Sequence, residues 1–260
     1  MKPPSSLCVA PNGARKKKVD IPNLPLSPAE LAHEALACQR EGATLFHFHV
    51  RHDDESHSLD PGRYKEATAE IKKQTPGLVL QASTECCGIY GPDDQIKLVK
   101  TLVPEAFSIN LTELIPDPSY STKAAHFLQW AQDMTMAVQY ICYSPEEVLF
   151  LAEQVKQGVV PQQTLYFFLF VLGRRDRPAQ SAELRPFLDT AKQLDLPGVV
   201  DWAACAFGSQ ELVCLLEATR QGGSVRIGFE NNHLLETGKT AINNAELVKQ
   251  YLMKLSSHAA

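Results

Sequence analysis

Apolar positions along the chain follow two alternating rhythms. Short apolar runs recur at roughly 7–10, 44–50, 78–82, 106–110, 136–141, 164–171, 199–205 and 224–229, with the length and β-branched or aromatic content of buried strands. Between them, apolar residues spaced three and four apart predict helices near 62–74, 93–103, 119–133, 181–194, 208–221 and 244–255. Two more helix starts are written in capping chemistry: Ser27-Pro28-Ala29-Glu30 and Ser144-Pro145-Glu146-Glu147 each offer a Ser N-cap, Pro at N1 and Glu at N3. Eight β-then-α units in 260 residues predict an α/β fold of the (β/α)8 TIM-barrel type, with residues 1–260 as a single domain. An open doubly wound sheet is the alternative, but it usually carries fewer strands and a Gly-rich first turn, and the chain contains neither G-x-G-x-x-G nor a P-loop.

The second apolar run changes the picture from fold to chemistry. In Thr44-Leu45-Phe46-His47-Phe48-His49-Val50-Arg51 the side chains alternate between faces, so His47, His49 and Arg51 share one face while Phe46, Phe48 and Val50 pack under a covering layer. Two imidazoles on one rigid face can bind one divalent ion, or each can be a hydrogen-bonded core group.

In a barrel of this type, functional side chains sit at the C-terminal strand ends. Reading inward parity strand by strand collects Gln81, Ser83 and Glu85 from the third strand, Ser108 and Asn110 from the fourth, Gln139 from the fifth, and Arg226, Gly228 and Glu230 from the eighth. Closure places the eighth strand beside the first, so Glu230 can reach the two histidines. Two histidines and a carboxylate form an open site that leaves positions for substrate oxygens. The competing role for Glu230 is an ion pair with Arg226 or Arg51, and for Ser83, Thr84, Ser108 and Asn110 it is strand-end capping.

Charge and cysteine content narrow the partners. A net charge of −5 without a basic face argues against nucleic acid. Met1-Lys2-Pro3-Pro4-Ser5-Ser6 lacks the apolar core of a signal peptide, and no apolar run is long enough to span a bilayer, so a cytoplasmic protein without membrane partners is expected. The seven cysteines show no C-x-x-C pair and read as reduced core thiols.

These residues carry a resemblance over nearly the whole chain. Ala10-Pro11-Asn12-Gly13-Ala14-Arg15, the His-Phe-His-Val-Arg stretch at 47–51, Ser58-Leu59-Asp60-Pro61-Gly62-Arg63-Tyr64, Gln81-Ala82-Ser83-Thr84-Glu85 and Gly223-Ser224-Val225-Arg226-Ile227-Gly228-Phe229-Glu230-Asn231-Asn232 resemble the β-keto acid cleavage enzyme family. The resemblance implies a zinc-dependent TIM barrel, homotetrameric, in which a 3-keto acid and acetyl-CoA exchange parts to give acetoacetate and a new acyl-CoA. It implies Zn2+ ligands at His47, His49 and Glu230, substrate-orienting hydroxyls at Ser83 and Ser108, and an arginine at Arg226 that serves the base.

Three positions depart from the family pattern. The aspartate that deprotonates the keto acid is replaced by Asn231, and the glutamate supporting it by Gln139. A carboxylate that binds a substrate amino group is replaced by Arg15, which favours an anionic or neutral substrate tail. An amide cannot act as that base, so Glu85 is the substitute expected from parity, with an ion pair to Arg51 as its competing role. Two other functions stay open: a metal-dependent hydrolase of the amidohydrolase type, which would need further strand-borne histidines that His126 and His233 do not supply, and a non-catalytic metal-binding sensor of keto acids or acyl-CoA.

Overall fold

The computed structural model describes residues 6–257. The N-terminal stretch without a signal-peptide core falls mostly on Met1–Ser5, outside the described residues. Among the described residues the barrel strands are β1 (Leu7–Val9), β2 (Leu45–Phe48), β3 (Val79–Ser83), β4 (Ala106–Ile109), β5 (Ala137–Cys142), β6 (Leu165–Leu172), β7 (Val199–Ala206) and β8 (Ser224–Ile227). They pair in parallel and in sequence order around the ring, and closure is made by β1, where Cys8 stands opposite both Leu45 of β2 and Arg226 of β8. The predicted closed barrel is therefore the observed one.

The outer layer is α1 (Pro28–Arg40), α2 (Pro61–Gln74), α3 (Pro92–Leu102), α4 (Ser121–Asp133), α5 (Pro145–Lys156), α6 (Leu184–Ala191), α7 (Glu211–Arg220) and α8 (Asn244–Ser257). α1 starts with the full capping box: Ser27 accepts from Glu30 N while the Glu30 carboxylate accepts from Ser27 N. α5 starts after Ser144 without that exchange, because the Glu147 carboxylate is drawn off to Tyr143 N and Asn110 Nδ2. The α7 start expected at Gly208-Ser209 moves to Glu211, behind Gln210. No helix among the described residues is long and apolar enough to cross a membrane.

Strand parity builds two cores. Phe46, Phe48, Phe107, Tyr140, Tyr166, Phe168 and Phe170 point outward and are fully buried beneath the helices. Each such side chain contributes roughly 1.5–3 kcal/mol by leaving water. Inside the barrel the halves differ: Ile141, Leu169, Val171, Ala203 and Cys205 form a small apolar cluster on β5–β7, while buried polar groups His47, Gln81, Ser83, Ser108, Gln139 and Arg226 come from β2–β5 and β8. The seven cysteines are unpaired thiols.

Candidate active site

The site begins where β2 stops. The ladder ends at Phe48, His49 stands just beyond it, and the chain then forms a small antiparallel hairpin, Val50–Arg51 against His57–Ser58. Asn12 replaces the missing ladder: its Nδ2 donates to His49 O (2.9 Å) and Pro25 O (3.0 Å), and its Oδ1 accepts from His49 N (3.2 Å). The buried peptide groups at the strand end are thereby satisfied.

His47 is oriented from the neighbouring strand. Its Nδ1 donates to Oε1 of Gln81, which stands opposite it in register, at 2.9 Å. A carboxamide oxygen can only accept, so the His47 Nε2 lone pair is left facing the barrel mouth. Burial, reinforced by Arg226 and His49 and opposed by Glu230, pushes His47 down to about 3, so the ring is neutral in ordinary buffers.

Glu230 arrives on a tightly tied turn after β8. Gly228 N donates to Glu211 Oε1 (3.2 Å), Phe229 N to Asn244 Oδ1 (2.7 Å) and Glu230 N to Ala10 O (3.1 Å). Gly13, at φ +63°, makes room for the glutamate: a Cβ there would lie 2.6 Å from Glu230 Cγ. Oε2 of Glu230 then sits 3.6 Å from His47 Nε2 and 3.4 Å from His49 Nε2, and the two Nε2 atoms are 3.3 Å apart. Burial alone would raise the Glu230 carboxyl, but Arg226 and the two imidazoles outweigh it and hold it well below the ordinary carboxylate range.

These three atoms fit a metal ion. Ligand distances of about 2.0–2.1 Å in a tetrahedral set imply ligand-to-ligand edges of about 3.3–3.4 Å, close to the separations here. Glu230 Oε2 is buried without a hydrogen-bond partner, the state of an electron-pair donor that a cation would satisfy. His126 is exposed on α4 and His233 stays outside the group, so the histidines an amidohydrolase would need are not brought to this point.

A cavity of about 330 Å³ opens at the barrel mouth, its wall including Arg15, Lys16, Glu85, Glu230, Arg226 and Asn231. Arg226 is fully inside the barrel, and its Nη2 donates to Glu230 Oε1 (2.9 Å) and Asn231 Oδ1 (3.0 Å). The competing ion-pair role for Glu230 is thus realised with Arg226 on one oxygen while the other oxygen faces the histidines. The expected Glu85–Arg51 pair does not form. Arg51 is turned by the hairpin toward the carbonyls of Gly13 and Glu55, and Glu85 instead meets Arg15 Nη2 at 3.5 Å and Cys87 Sγ at 3.1 Å. Ser83, Ser108 and Gln139 occupy consecutive register positions in the buried interior. Ser83 Oγ accepts from Glu85 N, and Asn110 caps the one-turn helix Leu111–Leu114, whereas Ser108 Oγ and Gln139 Oε1 have no partner.

Three further residues shape the site without a periodic signal to announce them. Asn12 holds the His49 backbone as described, where the parity-placed Gln81 holds His47. His57, pushed down to about 3 chiefly by burial, donates from Nε2 to Glu85 O at 2.6 Å with its ring 5.6 Å from that of His49. Lys16 Nζ donates to Phe229 O at 2.6 Å, and burial lowers its pKa.

The comparisons bear on the family and the fold. A family model described as beta-keto acid cleavage enzyme matches residues 4–256. The 3-oxoadipate:acetyl-CoA acetyltransferase of Cupriavidus necator is 27% identical over 96% of this chain and 88% of its own length. The 3-keto-5-aminohexanoate cleavage enzyme of Fusobacterium nucleatum is 26% identical over 92% and 86%. Among solved structures, the ternary complex of ObcA with C4-CoA adduct and oxalate superposes with a TM-score of 0.72 at 16% identity over 92% of this chain, which spans 65% of that structure's length. A type I 3-dehydroquinate dehydratase from Clostridium difficile superposes with a TM-score of 0.62 at 10% identity over 98% of this chain and 94% of its own length, a likeness of fold alone. The family match extends from before β1 to the last turns of α8 and takes in every residue that builds the mouth of the barrel, and the chain belongs to the beta-keto acid cleavage enzyme family.

Proposed function

We propose that this protein is a zinc-dependent enzyme exchanging the parts of a 3-keto acid and acetyl-CoA. In balanced form, R–CO–CH2–COO⁻ and CH3–CO–SCoA give R–CO–SCoA and CH3–CO–CH2–COO⁻. The bond between the keto carbon and C2 breaks, C2 joins the acetyl carbon, and the sulfur passes to the released acyl group. The observation that carries this reading is the convergence of His47 Nε2, His49 Nε2 and the unpaired Glu230 Oε2 at one point of the mouth. Relatives named as acetyl-CoA-dependent transferases of 3-oxoadipate and of 3,5-dioxohexanoate supply the reaction class.

In this reading His47, His49 and Glu230 hold the ion, which would polarise the keto acid's oxygens and acidify C2. Glu85 takes the C2 proton in place of the family's aspartate and exchanges its contact with Arg15 for one with the substrate. Arg15 faces the substrate tail and disfavours an ammonium there. Ser83, Ser108 and Gln139 line the interior below the reacting carbons, and Arg226 keeps Glu230 in place.

The test is to load the purified protein with acetyl-CoA and a panel of 3-keto acids, analyse acyl-CoA species by mass spectrometry, and measure bound metal by elemental analysis. About one divalent ion per chain and a new acyl-CoA are expected. Full metal content in a His47→Ala, His49→Ala double variant would remove the ligand assignment. Water-driven cleavage without acyl-CoA would replace the transferase with a hydrolase, and keto-acid binding without any product would leave a sensor.

A further inference from the structure

Asn231 lines the cavity beside Glu230 and is 3% exposed. One guanidinium nitrogen, Arg226 Nη2, donates to both Asn231 Oδ1 and Glu230 Oε1. A guanidinium has donors and no acceptor, so the carboxamide oxygen is necessarily the atom that faces it. The orientation of the amide follows from this contact. Nδ2 points away from Arg226, and it is buried without a partner. Arg226 Nε is a second buried donor without a partner in the same region. A buried donor left unpaired is costly, and two of them at the edge of a cavity define a place that an acceptor completes.

The acceptor has a required charge. The adjoining carboxylate, Glu230, already uses one oxygen on Arg226 and turns the other to the histidines, and the two oxygens of Glu211 accept from Gly228 N and Asn232 Nδ2. Glu85 is engaged by Arg15. An oxygen brought by the ligand remains, and the two free donors select an anionic one. We infer that Asn231 is a fixed hydrogen-bond donor to an anionic oxygen of the bound keto acid, and that this position takes no proton during turnover. This rests on the keto-acid reading above and deepens it: the side chain that would collect a proton as a carboxylate here instead grips the substrate's carboxylate, or the enolate oxygen that develops from its ketone.

Asn231→Asp tests the polarity directly, because it is isosteric and keeps the acceptor that Arg226 uses while replacing the donor with a negative oxygen. Asn231→Ala removes the donor without adding charge. Both variants are prepared in the metal-loaded protein, with elemental analysis and a thermal melt confirming an intact fold. Three quantities are then read: the Kd of 2,2-dimethyl-3-oxobutanoate, which has no C2 proton, by calorimetry; turnover of an enolisable 3-keto acid; and deuterium exchange at C2. If the donor grips the carboxylate, Asn231→Asp raises Kd roughly 10- to 100-fold and Asn231→Ala raises it less. If it grips the enolate oxygen, Kd holds while turnover and exchange fall by a similar factor in both variants. Faster exchange or turnover in Asn231→Asp would make residue 231 a base position and overturn the inference, as would unchanged binding, exchange and turnover in both variants. A wild-type protein that neither binds the analogue nor forms acyl-CoA would instead remove the keto-acid reading itself, and the inference with it.

Discussion

Gly13→Ala couples the turn after β1 to the proposed metal ligands through one methyl. The added Cβ would stand 2.6 Å from Glu230 Cγ, 3.2 Å from its Cβ and 3.3 Å from its Cδ. Carbon atoms rest at about 3.5–4.0 Å, so the glutamate stem must retreat by about 1 Å. Metal-ligand bonds tolerate errors of about 0.2 Å, so the carboxylate cannot keep its place in the set. Metal affinity should fall at least as far as when an outer partner of a ligand is lost, about 10- to 100-fold. A second cost is local: at φ +63° an alanine occupies the left-handed region, worth roughly 1–2 kcal/mol. Gly158→Ala separates the two effects, because Gly158 has φ +74° and a Cβ added there would meet nothing within 4 Å. Both variants should melt a few degrees lower, at about 2–4 °C per kcal/mol for a domain of this order of size. Only Gly13→Ala should lose metal in a chelator competition. Wild-type metal affinity in Gly13→Ala, with a melting loss equal to that of Gly158→Ala, would refute the steric argument.

Glu85→Gln should retain metal and keto-acid binding while turnover and C2 deuterium exchange fall roughly 100-fold; exchange at the wild-type rate would place the base elsewhere. Arg15→Glu should shift preference toward keto acids with an amino-bearing tail, read as the ratio of kcat/KM for 3-keto-5-aminohexanoate over an uncharged acid of similar length, and an unchanged ratio would remove Arg15 from the tail site. Glu211, pushed up to about 8 chiefly by burial, contributes stability that is fully present below its ordinary carboxyl range and is lost as pH rises through 8. Urea midpoints should therefore drop between pH 5.5 and pH 8.5, and Glu211→Gln should flatten that drop; an unaltered slope in the variant would assign it to other groups.

The barrel was legible because its strands are short apolar runs in regular alternation with helices, and because parity survives closure: His47, Gln81, Ser83, Ser108, Gln139 and Arg226 all face inward as period two requires. Parity also brought Glu230 to the histidines across the β1–β8 seam. What periodicity could not supply were contacts made by irregular backbone. Arg51 belongs to a two-residue ladder too short to leave a pattern, and that ladder turns it from Glu85 to the carbonyls of Gly13 and Glu55. Asn12 and His57 act through peptide groups across the fold, at His49 and Glu85, and nothing in their local sequence encodes a partner so distant. The Ser144 motif matched a capping box, yet a tertiary partner, Asn110, won the Glu147 carboxylate.

The uneven interior of the barrel bears on how the protein can diverge. Leu169 on β6 and Ala203 on β7 are apolar filling on one flank of the interior, together with Val171, which borders the cavity, and Cys205, whose Sγ accepts from Arg226, while most of the buried polar groups stand on the opposite flank. Mutational tolerance is thus partitioned by position. Changes at Leu169 or Ala203 are read in expression and melting temperature, those at residues of the cavity wall such as Arg15 in product identity. A lineage drifting toward a new substrate tail can vary Arg15 without repacking the filling, so selection for a different tail and selection for a sound fold act on separate sets of codons.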